Sequence, residues 1–352
     1  MRWNSQTLDA DDESALPGLG RMAGLVRTVR TPEFAGVTFH EVHSKSALNR
    51  VPSTSPMPFP WTINPYRGCT HGCVYCFARG THSYLDFDTG HDFDTQIVVK
   101  LNVAQVLRRE LARKNWAREH VAMGTNTDPY QRAEGRYRLM PGIIDALVDS
   151  GTPFSILTKG TVLSRDLPLL TAAQERVPVG LGISLALLDP ELQALLEPGT
   201  PTPKARLDLI RRITDAGLPC GVLVAPLLPH LTDSTEQLRD LVGKLADAGV
   251  TGVSAVVLHL RPGAREWFFP WLARTRPELV PIYERLYARG SSAAPGFRKM
   301  LSERFRAVRA EFGLDKGDPP TLRGLPGDPG ASFPAGSLPA PATPAVDQQS
   351  LF

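Results

Sequence analysis

The chain has 352 residues, of which 42% are hydrophobic, and this apolar content excludes a chain that is disordered throughout. Its 39 Lys and Arg against 36 Asp and Glu give a formal net charge of +3, an excess too small to indicate a nucleic-acid partner by itself. The sequence contains neither an apolar run of about 18 residues nor the apolar core of a signal peptide, so we expect a cytoplasmic protein without a membrane span.

Composition divides the chain into four segments. Residues 1–55 mix short apolar patches with polar stretches and are predicted to form an N-terminal extension. Residues 56–262 alternate β-rich apolar runs with helical patterns and form the predicted core, and residues 263–313 follow as a helical segment that caps it. Residues 314–352 are rich in Gly, Pro and Ala, which is typical of a disordered tail.

The core is predicted to be an α/β fold with a partial (β/α)6 barrel of the TIM type. Strands that alternate with helices at this spacing need crossover connections, and these produce a parallel sheet covered on both faces. The predicted strands are 61–64, 120–123, 154–157, 179–184, 221–225 and 253–259. The predicted helices are 103–114, 141–150, 164–175, 203–216, 234–248 and a further one from Arg265 onward.

Three of the four cysteines lie close together directly after the first predicted strand. Cys69, Cys73 and Cys76 are spaced so that one short loop can hold three corners of a [4Fe–4S] cluster, which leaves the fourth iron without a protein ligand. A molecule that carries an amino and a carboxylate group can chelate that open iron. Gly68 and Gly72 are expected to let the loop turn tightly and to let backbone N–H groups approach the sulfur atoms.

Zinc is the alternative metal for this loop. Cys69, Cys73 and Cys76 together with His71 or His82 would make a suitable zinc site. Zinc sites more often combine cysteines from two separated CxxC pairs, whereas these three come from one loop, and this favours the cluster. A zinc-binding interaction module without enzymatic activity remains the alternative function.

The motif CxxxCxΦC, in which Φ is aromatic, resembles the radical S-adenosylmethionine superfamily at this place in a (β/α)6 pattern. Longer stretches resemble more narrowly the branch related to spore photoproduct lyase, the DNA repair photolyase-like proteins. These stretches are Asn64-Pro-Tyr-Arg-Gly-Cys69, Cys76-Phe-Ala-Arg-Gly-Thr-His82 and Met123-Gly-Thr-Asn-Thr-Asp-Pro-Tyr-Gln131. The resemblance extends over about residues 46–312.

The resemblance implies an enzyme of the lyase or transferase type that holds a [4Fe–4S] cluster on Cys69, Cys73 and Cys76. An external reductant of the flavodoxin or ferredoxin type would supply one electron, and S-adenosylmethionine would be cleaved to methionine and a 5′-deoxyadenosyl radical that abstracts hydrogen from a substrate. The expected substrate is a DNA lesion or a nucleotide, so DNA is an expected partner. A protein or a small molecule is the alternative substrate, and the sequence assigns no catalytic residue.

The resemblance also assigns residues to S-adenosylmethionine, because family members bind it at the carboxyl ends of the barrel strands. Gly124, Thr125 and Asn126 match the place that holds the methionine amino group, and Lys159 matches the residue that pairs with the carboxylate. Ser184 matches the ribose contact. Tyr75, directly before the last cysteine, supplies an aromatic face beside the cluster. Polar turns and a solvated lysine would produce the same pattern.

Other polar residues near strand ends are candidates of lower specificity. Glu197 and Arg206 are predicted to pair across the start of a helix, as scaffold or as part of the site. Asp128, Tyr130 and Gln131 follow the second strand and could face the substrate.

The remaining candidates lie in the second half of the barrel. His259 and Arg261 follow the sixth strand, where they could contact adenine or substrate or could be structural. In spore photoproduct lyase a cysteine returns a hydrogen atom to the product radical, but residues 123–131 contain no cysteine. Cys220 begins the fifth strand, at the wrong end of the barrel, and is predicted to be structural.

The last five residues, Gln-Gln-Ser-Leu-Phe, resemble the peptide by which bacterial repair and replication proteins bind the DNA sliding clamp. A flexible tail could present Gln348 to a small polar pocket and the Leu351-Phe352 pair to an apolar groove. The sliding clamp is therefore a second expected partner, and deletion of residues 348–352 should abolish its capture.

Overall fold

The computed structural model describes residues 24–55, 57–315 and 333–338. Its strands are β1 (Leu25–Val29), β2 (Thr38–Val42), β3 (Leu48–Arg50), β4 (Trp61–Ile63), β5 (Tyr66–Arg67), β6 (Gln96–Lys100), β7 (Val121–Met123), β8 (Phe154–Thr158), β9 (Val179–Ser184), β10 (Cys220–Leu227) and β11 (Gly252–Val257). Its α-helices are α1 (His91–Thr95), α2 (Val103–Leu111), α3 (Arg132–Tyr137), α4 (Leu139–Asp149), α5 (Leu167–Gln174), α6 (Pro190–Leu196), α7 (Pro203–Asp215), α8 (Thr235–Asp247), α9 (Ala264–Thr275), α10 (Val280–Leu286) and α11 (Pro295–Glu311). Short 3-10 helices cover Pro32–Phe34, Arg79–Leu85, Thr161–Asp166 and Pro277–Leu279.

The larger sheet has the strand order β11-β10-β9-β8-β7-β4-β3. Strands β4 and β7 to β11 pair in parallel, and β3 pairs with β4 in the antiparallel direction. Within the described residues β3 and β11 remain the two edges, so the sheet curves into an open barrel and does not close. The predicted partial (β/α)6 barrel is therefore confirmed.

The helix ends agree with the sequence signals at α7 and α8. The side chain of Thr202 accepts the N–H of Ala205 at the start of α7, and Ser234 forms a capping box at the start of α8. Gly217 and Gly249 follow these two helices with φ of +76°, a backbone conformation that glycine adopts without strain. These caps fix where β10 and β11 begin.

A smaller sheet, which the sequence did not predict, joins the N-terminal extension to the cysteine loop. Its order is β1-β2-β6-β5, with β2 and β6 parallel. Phe39 of β2, Tyr66 of β5 and Val99 of β6 share its buried face. Because β5 ends at Arg67, this sheet fixes the backbone just before Cys69.

The C-terminal helices pack against the cysteine loop. Val74 and Tyr75 of that loop belong to a buried cluster with Phe268 and Trp271 of α9. The buried hydroxyl of Tyr283 on α10 donates to the carbonyl oxygen of Pro229, which follows β10, at 2.8 Å. The helical cap therefore covers the carboxyl ends of the last strands, as the sequence predicted.

Part of the predicted tail is packed in the structure. Phe333 and Ser337 are buried, and the stretch 333–338 contacts the first residues of β9 to β11, so these six residues differ from the disordered tail that composition predicts. The rest of that tail, with the predicted clamp-binding residues 348–352, lies outside the described residues. In the part of the chain that the structure describes, no helix is long and apolar enough to cross a membrane.

Candidate active site

The motif cysteines lie on one loop between β5 and the 3-10 helix that starts at Arg79. Cys69 and Cys73 are buried, Cys76 is partly exposed, and all three are free thiols. The N–H of Gly72 donates to the carbonyl oxygen of Cys69 at 3.3 Å, and the N–H of Cys76 donates to that of Cys73 at 3.2 Å. The loop therefore follows a path of successive turns.

Glycines make this path possible, as the sequence predicted. Gly68 and Gly72 have φ of +77° and +61°, which L side chains rarely adopt. A Cβ at Gly68 would also lie 2.9 Å from the carbonyl oxygen of Phe93. On the opposite side, a Cβ at Gly199 would lie 2.0 Å from the carbonyl oxygen of Thr70, so the segment after α6 can touch the loop backbone only through a glycine.

The electrostatic surroundings of the thiols fit a cationic metal centre. Burial raises the pKa of all three, for Cys73 to about 12, while the positive charge of Lys159 lowers it at Cys73 and Cys76. The nearby backbone N–H groups of His71 and Ala78 lower the pKa of Cys69 and Cys76, respectively. Thiolates are favoured when a bound metal compensates their buried charge, and N–H groups directed at sulfur stabilise them further. The donor set therefore fits an iron–sulfur cluster.

Arg79, for which the sequence predicted no role, holds the cysteine loop through a backbone carbonyl group. Its guanidinium is fully buried and donates to the carbonyl oxygen of Cys73 at 3.0 Å and to that of Gly90 at 2.6 Å. It also pairs with Asp94 at 2.8 Å and lies over the ring of Trp267 at 4.9 Å. Every hydrogen-bonding direction of this planar cation is thus used to hold backbone and carboxylate in place.

Glu197 and Arg206 form the predicted ion pair, and it is completely buried. Arg206 Nη2 lies 2.5 Å from Glu197 Oε2, and Nη1 donates to the carbonyl oxygen of Ser184 at 3.0 Å. The hydroxyl of Tyr75 donates to the other oxygen of Glu197. Burial raises the pKa of Glu197, but the charges of Arg206 and Lys159 outweigh it, so the net pKa is lowered. The pair therefore fixes the ring of Tyr75 beside the cysteines.

Lys159 lies at the end of β8 and faces the same group of residues. Its Nζ is 5.8 Å from the centre of the Tyr75 ring. Burial lowers the pKa of Lys159, but the nearby Cys73 and Glu197 outweigh that effect and raise it overall. The lysine is therefore a fixed positive charge at the carboxyl end of β8, in agreement with its predicted position.

Asp128 connects the loop after β7 to the end of β8. Its carboxylate accepts the N–H of Lys159 at 2.7 Å and the hydroxyl of Thr158 at 2.5 Å, and its Oδ2 lies 3.4 Å from His71 Nδ1. Burial raises the pKa of Asp128, but His71 and these hydrogen bonds lower it more. Asp128 therefore holds the backbone of Lys159 at the end of β8 in position.

Tyr130 and Gln131, which the sequence predicted could face the substrate, are both fully buried and hydrogen-bonded within the protein. The amide oxygen of Gln131 accepts the N–H of Thr70 at 2.9 Å, and its nitrogen donates to the carbonyl oxygen of Gly68 at 3.2 Å. The hydroxyl of Tyr130 donates to Asp166 at 3.0 Å. Their polar atoms are used to hold the cysteine loop and the β8–α5 connection.

The predicted methionine-binding residues lie together at the end of β7. Gly124 has φ of +92°, and a Cβ there would lie 1.9 Å from the carbonyl oxygen of Leu157. Among the described residues the buried Oγ1 of Thr125 has no hydrogen-bond partner, and Asn126 is exposed. A buried hydroxyl without a partner costs free energy unless a ligand satisfies it, so this strand end fits a polar ligand.

The remaining candidates have structural partners. Ser184 is buried, and its hydroxyl donates to the carbonyl oxygen of Ala225 at a long 3.5 Å. His259 Nδ1 lies 3.1 Å from the hydroxyl of Ser292. Cys220 is buried at the start of β10, as predicted, where burial raises its pKa to about 12.

Arg261, by contrast, is exposed beside the cysteine loop. Its guanidinium lies 5.5 Å from the ring centre of Phe77, the half-exposed residue that follows Cys76. This side chain therefore remains near the barrel opening.

Each histidine of the zinc alternative has a contact at one ring nitrogen, and the buried Nδ1 of His82 has no hydrogen-bond partner among the described residues. His82 is buried and donates its Nε2–H to the carbonyl oxygen of Gln96 at 3.0 Å, while His71 contacts Asp128. Over the described ranges, no three or more His, Cys, Asp or Glu side chains lie close enough together to hold a single ion. The four ligands of the zinc alternative are therefore not gathered around one point in the described residues.

Comparison with known proteins identifies the family. A model of the radical SAM superfamily matches residues 63–242. An uncharacterized protein of Mycobacterium tuberculosis (strain H37Rv) is 60% identical over 318 residues, which cover 89% of this chain and 93% of the relative. An uncharacterized protein of Acidianus two-tailed virus is 30% identical over 57% of this chain and 68% of its own.

The fold is also that of a solved structure. Spore photoproduct lyase complexed with dinucleoside spore photoproduct superimposes with a TM-score of 0.61 at 16% identity, covering 79% of this chain and 80% of the lyase. The family match includes the cysteine loop and the strand ends described above, and it implies an enzyme that uses a [4Fe–4S] cluster and S-adenosylmethionine. The chain belongs to the radical SAM superfamily.

Proposed function

We propose that Cys69, Cys73 and Cys76 hold a [4Fe–4S] cluster and that the enzyme cleaves S-adenosylmethionine by one-electron reduction. The observation that carries this proposal is the single loop of thiols that follows the first strand of the open parallel barrel and is fixed by Arg79, Gln131 and backbone N–H groups. When bound, the cluster and S-adenosylmethionine would supply a 5′-deoxyadenosyl radical for hydrogen abstraction from the substrate, with one electron from an external reductant of the flavodoxin or ferredoxin type.

The chain's own residues would orient S-adenosylmethionine at neighbouring strand ends. Gly124, Thr125 and Asn126 would take the amino group, and the unsatisfied Oγ1 of Thr125 supports this assignment. Lys159 would pair with the carboxylate, since a partly buried ammonium is stabilised by an adjacent anion. Ser184 would contact the ribose by exchanging its long bond to the backbone for a ligand oxygen.

Tyr75 would act beside the cluster as an oriented aromatic face. Its hydroxyl is bound by Glu197, so its ring is fixed in position. The ring and the helical cap would exclude water from the place where the radical forms, which protects a reactive species from side reactions.

We further propose a DNA lesion or a nucleotide as the substrate. The likeness of the fold to spore photoproduct lyase with a bound dinucleoside lesion supports this substrate class. The exposed Arg261 beside Phe77 supports it as well, because a guanidinium and an aromatic ring can bind phosphate and base. The proposal ends at hydrogen abstraction, since residues 123–131 contain no cysteine and Cys220 is buried at the other end of the barrel.

Anaerobic reconstitution tests the cofactor chemistry. Reduced protein with S-adenosylmethionine should form 5′-deoxyadenosine, and Cys73→Ala should lose both this product and the visible absorbance of the cluster, because two remaining thiolates seldom hold a cubane. Cys220→Ala is the matched control and should keep both. Protein without iron, or with iron held by four side chains, would contradict the proposal.

The substrate class needs a separate measurement. Formation of 5′-deoxyadenosine should rise when damaged DNA is added and should not rise with undamaged DNA. Arg261→Ala should reduce this stimulation and leave the basal product unchanged, with Arg274→Ala, a residue of α9, as the control. If damaged DNA has no effect, a protein or small-molecule substrate replaces DNA in the proposal.

A further inference from the structure

A short segment near the C-terminus lies at the end of the barrel opposite to the cysteine loop. Residues 333–338, Phe-Pro-Ala-Gly-Ser-Leu, contact the first residues of β9, β10 and β11. Parallel strands have their first residues at one end of the sheet and their last residues at the other, where the candidate active site lies. We call residues 333–338 the C-terminal strap.

Glycines on three adjacent strands make room for the strap. Gly180, Gly221 and Gly252 lie near the starts of β9, β10 and β11. A side chain at any of them would collide with the strap, because a real Cβ essentially never comes within 3.0 Å of such atoms. The distances from the three built Cβ positions are 2.5 Å to Phe333 Cδ1, 2.3 Å to the carbonyl oxygen of Ala335 and 2.8 Å to Gly336 Cα. The strand starts therefore form a groove that backbone can enter.

Phe333 fills one end of this groove. Its side chain is 2% exposed, and its ring centre lies 4.0 Å from that of His120, just before β7. His120 is itself buried, and its Nε2 lies 3.0 Å from the hydroxyl of Ser155 on β8. The phenylalanine thus packs against His120, just before β7, and against Gly180 near the start of β9.

The strap also satisfies polar groups without pairing as a strand. The N–H and the hydroxyl of Ser337 donate to the carbonyl oxygen of Pro334 at 3.0 Å and 2.8 Å, and Gly336 has φ of +73°. A positive φ at the third residue is typical of a type II turn. The hydroxyl of Thr251, before β11, donates to the carbonyl oxygen of Gly336.

We propose that this end of the barrel is a binding groove for a short peptide and that its ligand is the C-terminal strap of the same molecule. All of the contacts above are made by the strap and the strand starts, so none depends on the connecting residues 316–332. An extended connection of that length reaches roughly 55 Å, enough for the strap to bind within its own molecule. The strap is therefore an intramolecular ligand that stays bound after the connection is cut.

Cleavage of the folded full-length protein tests the proposal. A recognition site for a specific protease is placed within residues 316–332, the protein is folded and cut, and size-exclusion chromatography with mass spectrometry follows the C-terminal fragment. We expect the fragment to elute with the barrel. Phe333→Ala should reduce the retained fragment at least tenfold, whereas Phe333→Leu should restore much of it.

Changes on the barrel side provide an independent measurement. Gly221→Ala should release the fragment, and Gly296→Ala should not, because a Cβ at Gly296 meets no described atom within 4 Å. Phe333→Ala decides the outcome if Gly221→Ala does not fold, since it leaves the barrel unchanged. Release of the fragment from the cut parent protein would overturn the proposal. Elution only as a dimer would also overturn it, because a second copy would then supply the strap.

A measurement of bound iron distinguishes a failure of the strap proposal from a failure of the proposed function. The strap and the cysteine loop lie at opposite ends of the strands, so cut Phe333→Ala protein should bind as much iron as uncut protein. If neither the cut nor the uncut protein binds iron, the result counts against the cluster and leaves the strap proposal intact. If iron is lost only when the strap is released, the two ends of the barrel are not independent, which contradicts this expectation.

Discussion

At the scale of single residues, Glu197 is a fully buried carboxylate that depends on its charged and polar partners. It is fully buried, accepts from Tyr75 and pairs with Arg206, and it also attracts Lys159. A buried charge that loses its partner is far more costly than an exposed one. Glu197 is thus a positioning residue, since it acts through the ring of Tyr75 and the charge of Lys159.

We expect Glu197→Gln to leave Arg206 as an uncompensated buried cation and to lower the free energy of unfolding by about 3 kcal/mol. Glu191→Gln changes an exposed carboxyl of α6 and should alter it by less than about 0.5 kcal/mol. Urea denaturation measures both. The visible absorbance of reconstituted Glu197→Gln protein should also shift, because Tyr75 is released beside the cysteines. Equal free energies of unfolding for the two variants would show that the ion pair makes no net contribution to stability.

A second residue, His120, should make stability depend on pH. Burial lowers its folded pKa to about 3, whereas in the unfolded chain it titrates near 6.5. Below roughly pH 6.5 the unfolded state binds the proton and the folded state does not, so stability falls as the pH decreases. Between pH 7 and pH 5 His120 should account for a loss of about 2 kcal/mol.

The pH dependence is measured by urea denaturation near pH 7 and near pH 5. The parent protein should lose about 2 kcal/mol more than His120→Gln over this range. His82, whose pKa burial lowers to about 4, contributes equally to both proteins and cancels in the comparison. Parallel curves for the two proteins would mean that His120 is already protonated or is not buried.

At the scale of secondary-structure elements, the ends of β7 and β8 approach each other more closely than side chains allow. Gly124 makes this possible, with its positive φ and its contact to the carbonyl oxygen of Leu157. The approach brings Thr125 and Lys159 to neighbouring positions on the barrel opening. The spacing of two predicted cofactor contacts therefore depends on a residue without a side chain.

We expect Gly124→Ala to force β7 and β8 apart and to lower the free energy of unfolding by on the order of 3 kcal/mol. Binding of S-adenosylmethionine to the reconstituted protein should weaken at least tenfold. Gly135→Ala in α3 is the control, since a Cβ there meets no described atom within 4 Å and alanine favours a helix. Equilibrium dialysis and urea denaturation give the two readouts, and normal binding by Gly124→Ala would contradict the assigned site.

The sequence predicted the six parallel strands of the barrel and one helix after each, because these elements have local signatures, whereas the short helices α3 and α6 were not predicted. Gly217, Gly249 and the capping residues Thr202 and Ser234 mark ends that depend only on nearby atoms. The smaller sheet had no such signature, since β2 pairs in parallel with β6 from a distant part of the chain. Non-local pairing of this kind cannot be inferred from periodicity.

The site was predictable to the extent that its residues follow the cysteine motif or a strand end. Lys159 was singled out at a strand end and the Glu197–Arg206 pair across a helix start, and the structure places all three beside Tyr75. The contacts of Gln131 with the cysteine loop were not predicted, because a polar residue after a strand gives no sign of what it will contact once buried. Arg79 stands inside the motif, but its role depends on the carbonyl of Gly90 and therefore on the tertiary fold.

At the scale of the whole molecule, the two ends of the barrel are closed in different ways. The helical cap packs against the end that carries the cysteines, through Tyr75, Phe268 and Trp271. The strap covers the other end through backbone contacts with glycines. Both devices come from the C-terminal part of the chain, so the barrel is complete only when residues beyond 262 have folded onto it.

The order of the chain also has a consequence for synthesis on the ribosome. The three thiols emerge early, whereas Glu197, Gly199 and Arg206, which fix their loop from the opposite side, emerge much later. During that interval a nascent chain presents reactive sulfur without the surroundings that bury it. The proposed cluster would then be completed only after translation has passed α7, because the residues that hold the loop from this side are not available earlier.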